Sequence, residues 1–128
     1  MYREEIKVLD CTVRDGGLIN NYHFTDDFVK AVYRATCDSG IDIMEIGKKL
    51  CVSEEYTREK YGKWNFCDED DIKSIVDSYE CEKPPMLAVM YDVDRVDVSA
   101  LLPAEQSVVG MVRTACYVAD IDKGLDLV

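Results

Sequence analysis

The stretch Gly40-Ile41-Asp42-Ile43-Met44-Glu45-Ile46-Gly47 decides the fold class. Gly40 is a natural helix stop, and the apolar run after it has the length and composition of a buried strand. Working backward, Thr25 reads as an N-cap, with Asp26 and Asp27 suited to a first helical turn. Phe28, Val29, Val32, Tyr33 and Thr36 then recur at helical spacing. Ahead of that helix lies Ile6-Lys7-Val8-Leu9-Asp10-Cys11-Thr12-Val13, a strand expected to end in a turn at Arg14-Asp15-Gly16-Gly17. Strand, helix and strand joined this closely form a βαβ unit, which implies parallel strands and a right-handed crossover.

Working forward, residues 48–67 form a long polar excursion in which Tyr56, Tyr61, Trp64 and Phe66 serve as packing. Asp68 caps a second helix that carries Ile72, Ile75, Val76 and Tyr79 inward. Pro84-Pro85 closes the connection, and Met86-Leu87-Ala88-Val89-Met90-Tyr91 is continuously apolar, as buried parallel strands are. Residues 92–107 read as short and partly helical, residues 108–116 as a fourth strand, and residues 119–128 as an amphipathic helix without a stop signal. The alternation places residues 1–128 in one parallel α/β domain. Pattern alone leaves two architectures open, half of a TIM barrel or a small doubly wound sheet.

Composition narrows the function. The 128 residues are 48% hydrophobic and 32% charged, as in a globular protein, and the net charge is -11. That acidity argues against nucleic acid, which demands a basic patch. No apolar run reaches the roughly 20 residues that cross a bilayer, so no membrane partner is expected. The six cysteines are scattered without a CxxC pair, and the chain has one histidine, so reduced thiols in a cytoplasmic protein are the expectation.

The chemistry concentrates in Asp10-Cys11-Thr12-Val13-Arg14-Asp15-Gly16-Gly17. An Arg-Asp pair at the carboxyl end of a first strand faces the place where barrel active sites form. The carboxylate is suited to a divalent cation, and the guanidinium to a bidentate hold on a substrate carboxylate or enolate.

This motif resembles the D-x-T-L-R-D-G signature of the DRE-TIM metallolyase superfamily, which includes the 4-hydroxy-2-oxovalerate aldolases and hydroxymethylglutaryl-CoA lyase. Arg14-Asp15-Gly16-Gly17 followed by Asn20-Asn21 and Phe24 is most similar to the aldolase members, as is the region from Met111 to Asp122. The resemblance implies a partial TIM barrel of about four β/α units, truncated before the second half. It implies Asp15 as a metal ligand, Arg14 as the group that binds substrate and stabilises an enolate, and Glu45 as the residue orienting Arg14. The implied cofactor is Mn2+ or Mg2+, its remaining ligands expected beyond the C-terminus, where the family carries an H-x-H pair.

Leu18 stands where the aldolases carry a histidine base. His23 and Tyr22 are the substitute candidates for proton transfer, and Asn20 and Arg113 for substrate binding. Lys48 and Lys49, just past the second strand, are candidates to pair with Glu45 or to attract an anionic substrate, but the favoured reading is a pair of solvated loop charges. The implied activity is carbon-carbon bond cleavage or formation next to a 2-oxo acid such as pyruvate, with this chain inactive alone. The alternatives are an acyl-CoA Claisen condensing enzyme or a non-catalytic half-barrel module. An unclosed half-barrel exposes edges and an apolar face, so a homo-oligomer is expected.

Overall fold

The computed structural model describes residues 3–96, 98 and 101–127. Its elements are β1 (Leu9–Asp10), α1 (Thr12–Asn20), α2 (Asp26–Ser39), β2 (Ile43–Lys48), α3 (Arg58–Tyr61), α4 (Glu69–Val76), β3 (Met86–Asp92), β4 (Met111–Ala115) and α5 (Ile121–Asp126), with 3-10 turns at Lys63–Asn65 and Val118–Asp120.

The four strands are parallel and lie in the order β1-β2-β3-β4. A doubly wound sheet reverses its strand order partway. This one does not, and it is not closed. Each strand is laid beside its predecessor, as in one arc of a barrel. That resolves the choice the pattern left open.

The helices cover one face. Val29, Tyr33 and Thr36 of α2 and Ile72 and Ile75 of α4 are buried with Met44, Ile46, Leu87, Val89 and Tyr91 of the strands. Both helices start as the sequence predicts. Thr25 Oγ1 accepts from the Phe28 amide at 3.2 Å, and Asp68 and Asp71 form a reciprocal capping box. Gly40 ends α2 at φ 67°.

The first strand is a correction. Of residues 6–13 only Leu9–Asp10 are strand, and the predicted glycine turn is inside α1. Asp10 is the cause. Its carboxylate accepts both the Thr12 amide (3.1 Å) and the Thr12 hydroxyl (2.7 Å), turning the chain into α1 two residues after Asp10. Gly17 is there for close packing: a Cβ on it would lie 2.1 Å from a Tyr22 ring carbon. The fourth strand is also shorter than residues 108–116, and the terminal helix is limited to Ile121–Asp126. Of residues 92–107, Asp92 still belongs to β3, and residues 93–95 and 104–106 form turns; residues 97, 99 and 100 of that predicted partly helical segment, and Val128 of the terminal helix, lie outside the described residues.

The excursion after β2 is a folded cap rather than an open loop. Trp64 and Cys67 are fully buried, Phe66 nearly so, and the Trp64 carbonyl lies so close to Gly47 that a Cβ there would meet it at 2.5 Å. Among the described residues no helix is long and apolar enough to cross a membrane.

The edge strand β1 is tied down by one carboxylate. The Val8 amide donates to Asp42 Oδ2 at 2.8 Å, and Lys7 Nζ lies 3.4 Å from Oδ1. The Val8 hydrogen bond, with the charges of Lys7 and Lys83 and against desolvation, holds the Asp42 carboxyl below its ordinary 3.8. A carboxyl depressed in the folded state stabilises the fold above the unfolded value and loses that contribution as pH falls through the folded one. The Val8 amide resonance is therefore expected to titrate with a midpoint below 3.8. Asp42→Asn should abolish that titration, and a Val8 amide that stays flat in the unsubstituted protein rejects the assignment.

Candidate active site at the carboxyl ends of the strands

Register assigns the faces. Glu45 pairs with Ala88, which pairs with Met111, and Arg113 follows two residues along β4 on that same face. This is the face opposite the helices. Between Glu45 and Gly47 the β2–β3 register slips by one residue, so Lys48 pairs with Met90 and Met90 with Arg113. Such a bulge re-aims the side chains that follow it. Lys48 is thereby the last residue of β2 and on the Glu45 face, a correction to its reading as a loop charge. Lys49 instead pairs with Glu69 at 3.6 Å.

Glu45 is the centre. It is fully buried, and its Oε2 accepts Arg14 Nε at 2.6 Å, Arg113 Nη1 at 2.9 Å and the Cys11 thiol at 3.4 Å. Its other oxygen is buried and has no hydrogen-bond partner among the described residues. A carboxylate taken wholly out of water persists only when paired, and here two guanidiniums compensate it. Arg14 reaches Glu45 because α1 begins directly after β1. The helix turns its Val13 and Gly17 side inward, and Arg14 sits on the flank of that side. Arg14 Nη1 also pairs with Asp15, whose side chain is half exposed at the mouth. Desolvation works against the charge on Arg14, but the hydrogen bond and charge of Glu45 and the charge of Asp15 outweigh it, so the guanidinium lies above its ordinary pKa.

Four sequence-predicted residues are thus assembled: Arg14, Asp15, Glu45 and Arg113. His23 is not among them. It is exposed in the loop after α1, with Nε2 3.3 Å from the Lys60 carbonyl oxygen. Asn20 lies at the inward end of α1, half-buried, with an Oδ1 that has no hydrogen-bond partner among the described residues. Leu18, one turn beyond Arg14 on α1, is 68% exposed.

One member was missed by sequence reasoning and another, Lys48, was set aside as a loop charge. Cys11 reads as an ordinary strand thiol, yet it touches both Glu45 and Arg14. Burial first, then the hydrogen bond and charge of Glu45, raise its pKa. Its position between the two aspartates of the motif was the available signal. Lys48 was assigned to the loop because a bulge leaves no mark in a pattern of period two. Its ammonium lies 5.2 Å from the centre of the Tyr22 ring. Tyr22 itself has φ 62°, a left-handed conformation rare for an aromatic residue. Its carbonyl fits there because Gly62 has no Cβ: one would lie 2.2 Å from the Tyr22 oxygen.

As a metal site the described residues are incomplete. No group of three or more His, Cys, Asp or Glu stands together among them, and Asp15 is the one carboxylate exposed beside Arg14. They supply at most one ligand of a Mn2+ or Mg2+ ion, Asp15. A cavity of about 240 Å³ lies away from this cluster, and its polar members satisfy one another: Lys49 and Ser107 both reach Glu69. It is a packing gap.

No protein-family model matches the chain, and no curated protein matches it. Among solved structures it is similar to the crystal structure described as "the N-terminal domain of a putative aldolase" from Bacteroides vulgatus. The TM-score is 0.78 at 28% identity, over 95% of this chain and 39% of that one. The chain therefore has the aldolase-like α/β fold of that neighbour, and it spans well under half of the neighbour's length.

Proposed function

We propose that the chain carries the Arg-Asp-Glu part of the active site of a carbon-carbon lyase of the DRE-TIM metallolyase type, acting next to a 2-oxo acid such as pyruvate. The observation that carries this reading is the Arg14–Glu45 hydrogen bond at 2.6 Å with Asp15 alongside, at the carboxyl end of the first parallel strand. Cleavage beside a 2-oxo group leaves an enolate, and a preorganised cation where that charge develops is the largest catalytic contribution in such reactions. Arg14 supplies it, and Glu45 keeps its guanidinium from rotating away. Asp15 would hold a Mn2+ or Mg2+ cofactor, whose chemistry when bound is to polarise the 2-oxo acid.

Turnover by this chain alone is not expected, because the described residues offer one ligand. The test is accordingly binding. Manganese is titrated into the protein and into Asp15→Ala, followed by water-proton relaxation, with pyruvate added afterward. The proposal expects weak manganese binding that the substitution abolishes, and pyruvate-induced shifts of the Arg14 Nε resonance. Equal relaxation in both proteins, or an Arg14 resonance indifferent to pyruvate, would reject it.

A non-catalytic half-barrel is favoured by one observation, the exposed Leu18 beside Arg14 where the aldolases place a base. Either reading keeps the open sheet. Its β4 side exposes Val112, Tyr117 and Val118, and its β1 side exposes Ile6 and Val8. The chain is therefore expected to pair with a second copy, and sedimentation equilibrium should show mass rising with concentration. A single monomeric species at high concentration would remove that expectation.

A further inference from the structure

We infer that Lys48 is a substrate-binding residue of this site, the one that grips an anionic group, carboxylate or phosphate, on the ligand. The inference rests on the lyase reading for the identity of the site, and on three independent observations for Lys48.

The first is the bulge. In an unbroken β2 ladder Lys48 would fall on the helix face with Met44 and Ile46. The slip between Glu45 and Gly47 brings it into line with Met90 and Arg113 instead, on the face that carries Glu45. The slip is also fixed in place. The Cys67 amide donates to the Lys48 carbonyl at 3.0 Å and the Cys67 thiol to the same oxygen at 3.1 Å.

The second is the missing counterion. Arg14 and Arg113 are both paired with Glu45, and Lys49 with Glu69. Lys48 is half-buried and makes no ion pair among the described residues. Asp92, further along the same face of β3, does not pair with it either. A half-buried ammonium whose near neighbour is an aromatic ring is a cation held ready for an anion brought from outside.

The third is the platform beneath it. The Tyr22 ring lies 5.2 Å from the ammonium, and it is there because two glycines and a left-handed backbone admit it. Cation–π contact orients an ammonium without neutralising it. Arg113 spends Nη1 on Glu45, and its side chain is 40% exposed on the face that carries Lys48, which leaves its remaining N–H groups open to a ligand. A carboxylate or phosphate between Lys48 and Arg113 would receive a point charge from one side and part of a planar fork from the other.

The test uses the metal-free protein and oxalate as probe, with inorganic phosphate as the second anion, measured by calorimetry. Lys48→Met is expected to weaken oxalate binding about tenfold, the loss of one charge-assisted contact. Lys48→Arg should retain most of the affinity, and Lys73→Met, which removes one exposed charge on α4, should leave it unchanged. Thermal melts of each variant exclude unfolding as the cause. Oxalate binding equal in Lys48→Met and the unsubstituted protein overturns the inference, as does a loss matched by Lys73→Met, or no anion binding at all. Preference between oxalate and phosphate identifies which anionic group the ligand carries. Loss of anion binding in Lys48→Met with no manganese effect at Asp15 would uphold Lys48 while rejecting the lyase reading, so the two fail separately.

Discussion

Glu45→Ala is expected to cost about 3–5 kcal/mol of folding stability, near the lower end of that range, measured by urea unfolding. The carboxylate is fully buried and compensates two guanidiniums at once, so truncation takes the partner from Arg113, leaves Arg14 with only the half-exposed Asp15, and opens a space beside Cys11. The side chain of Arg14 is 13% exposed and that of Arg113 is 40% exposed. Each can recover part of its hydration by swinging outward, which is why the lower end applies. Glu45→Gln keeps the shape and an acceptor but removes the charge, so it should cost less and still loosen Arg14. A second readout separates stability from positioning: the Arg14 Nε resonance should broaden in Glu45→Gln while the melting curve stays cooperative. A loss under about 1 kcal/mol in Glu45→Ala would mean that the pair is already hydrated and that Glu45 does not set Arg14.

Trp64→Ala should have an effect of similar size, about 3–5 kcal/mol, by deleting the largest fully buried side chain. Its consequences extend beyond the cavity. Residues 63–67 lie against the bulged end of β2: the Trp64 carbonyl abuts Gly47, and Cys67 bonds the Lys48 carbonyl. Losing Trp64 therefore frees the bulge as well as the core, and oxalate affinity should fall along with stability. Trp64→Phe is the control. It restores most of the volume and dispenses with an indole N–H that is buried without a partner among the described residues, so it should cost less than about 1.5 kcal/mol. Circular dichroism is the appropriate signal, since Trp64 is the sole tryptophan of the chain. If Trp64→Ala unfolds at the same urea concentration as the unsubstituted protein, the segment is an appendage and not part of the core.

Helices α2 and α4 were legible because their signals are local. Thr25 and Gly40 bracket α2, and Asp68 begins α4, with caps whose hydrogen bonds span three or four residues and so are written in the sequence itself. The apolar runs gave β2 and β3 within two residues of their observed bounds. The first strand was overextended because a run of apolar residues cannot report that Asp10 captures Thr12 and starts a helix, a choice made by one side chain. The paired glycines misled for a related reason. Gly16 and Gly17 read as a turn, but the space that Gly17 leaves is needed by Tyr22.

For the site, the sequence by itself proposed four of the charged residues that the fold brings together, Arg14, Asp15, Glu45 and Arg113, each by strand-end position or by resemblance. It determined the parallel α/β class, because strand, helix and strand with short links leave no other arrangement. What only the tertiary structure decided was strand order, which neighbour each charge faces, and the inclusion of Cys11 and Lys48. Those are questions of register. A single slip between Glu45 and Gly47 moves Lys48 from one face of the sheet to the other, and with a side-chain period of two no pattern in one strand records which partner residue it sits beside.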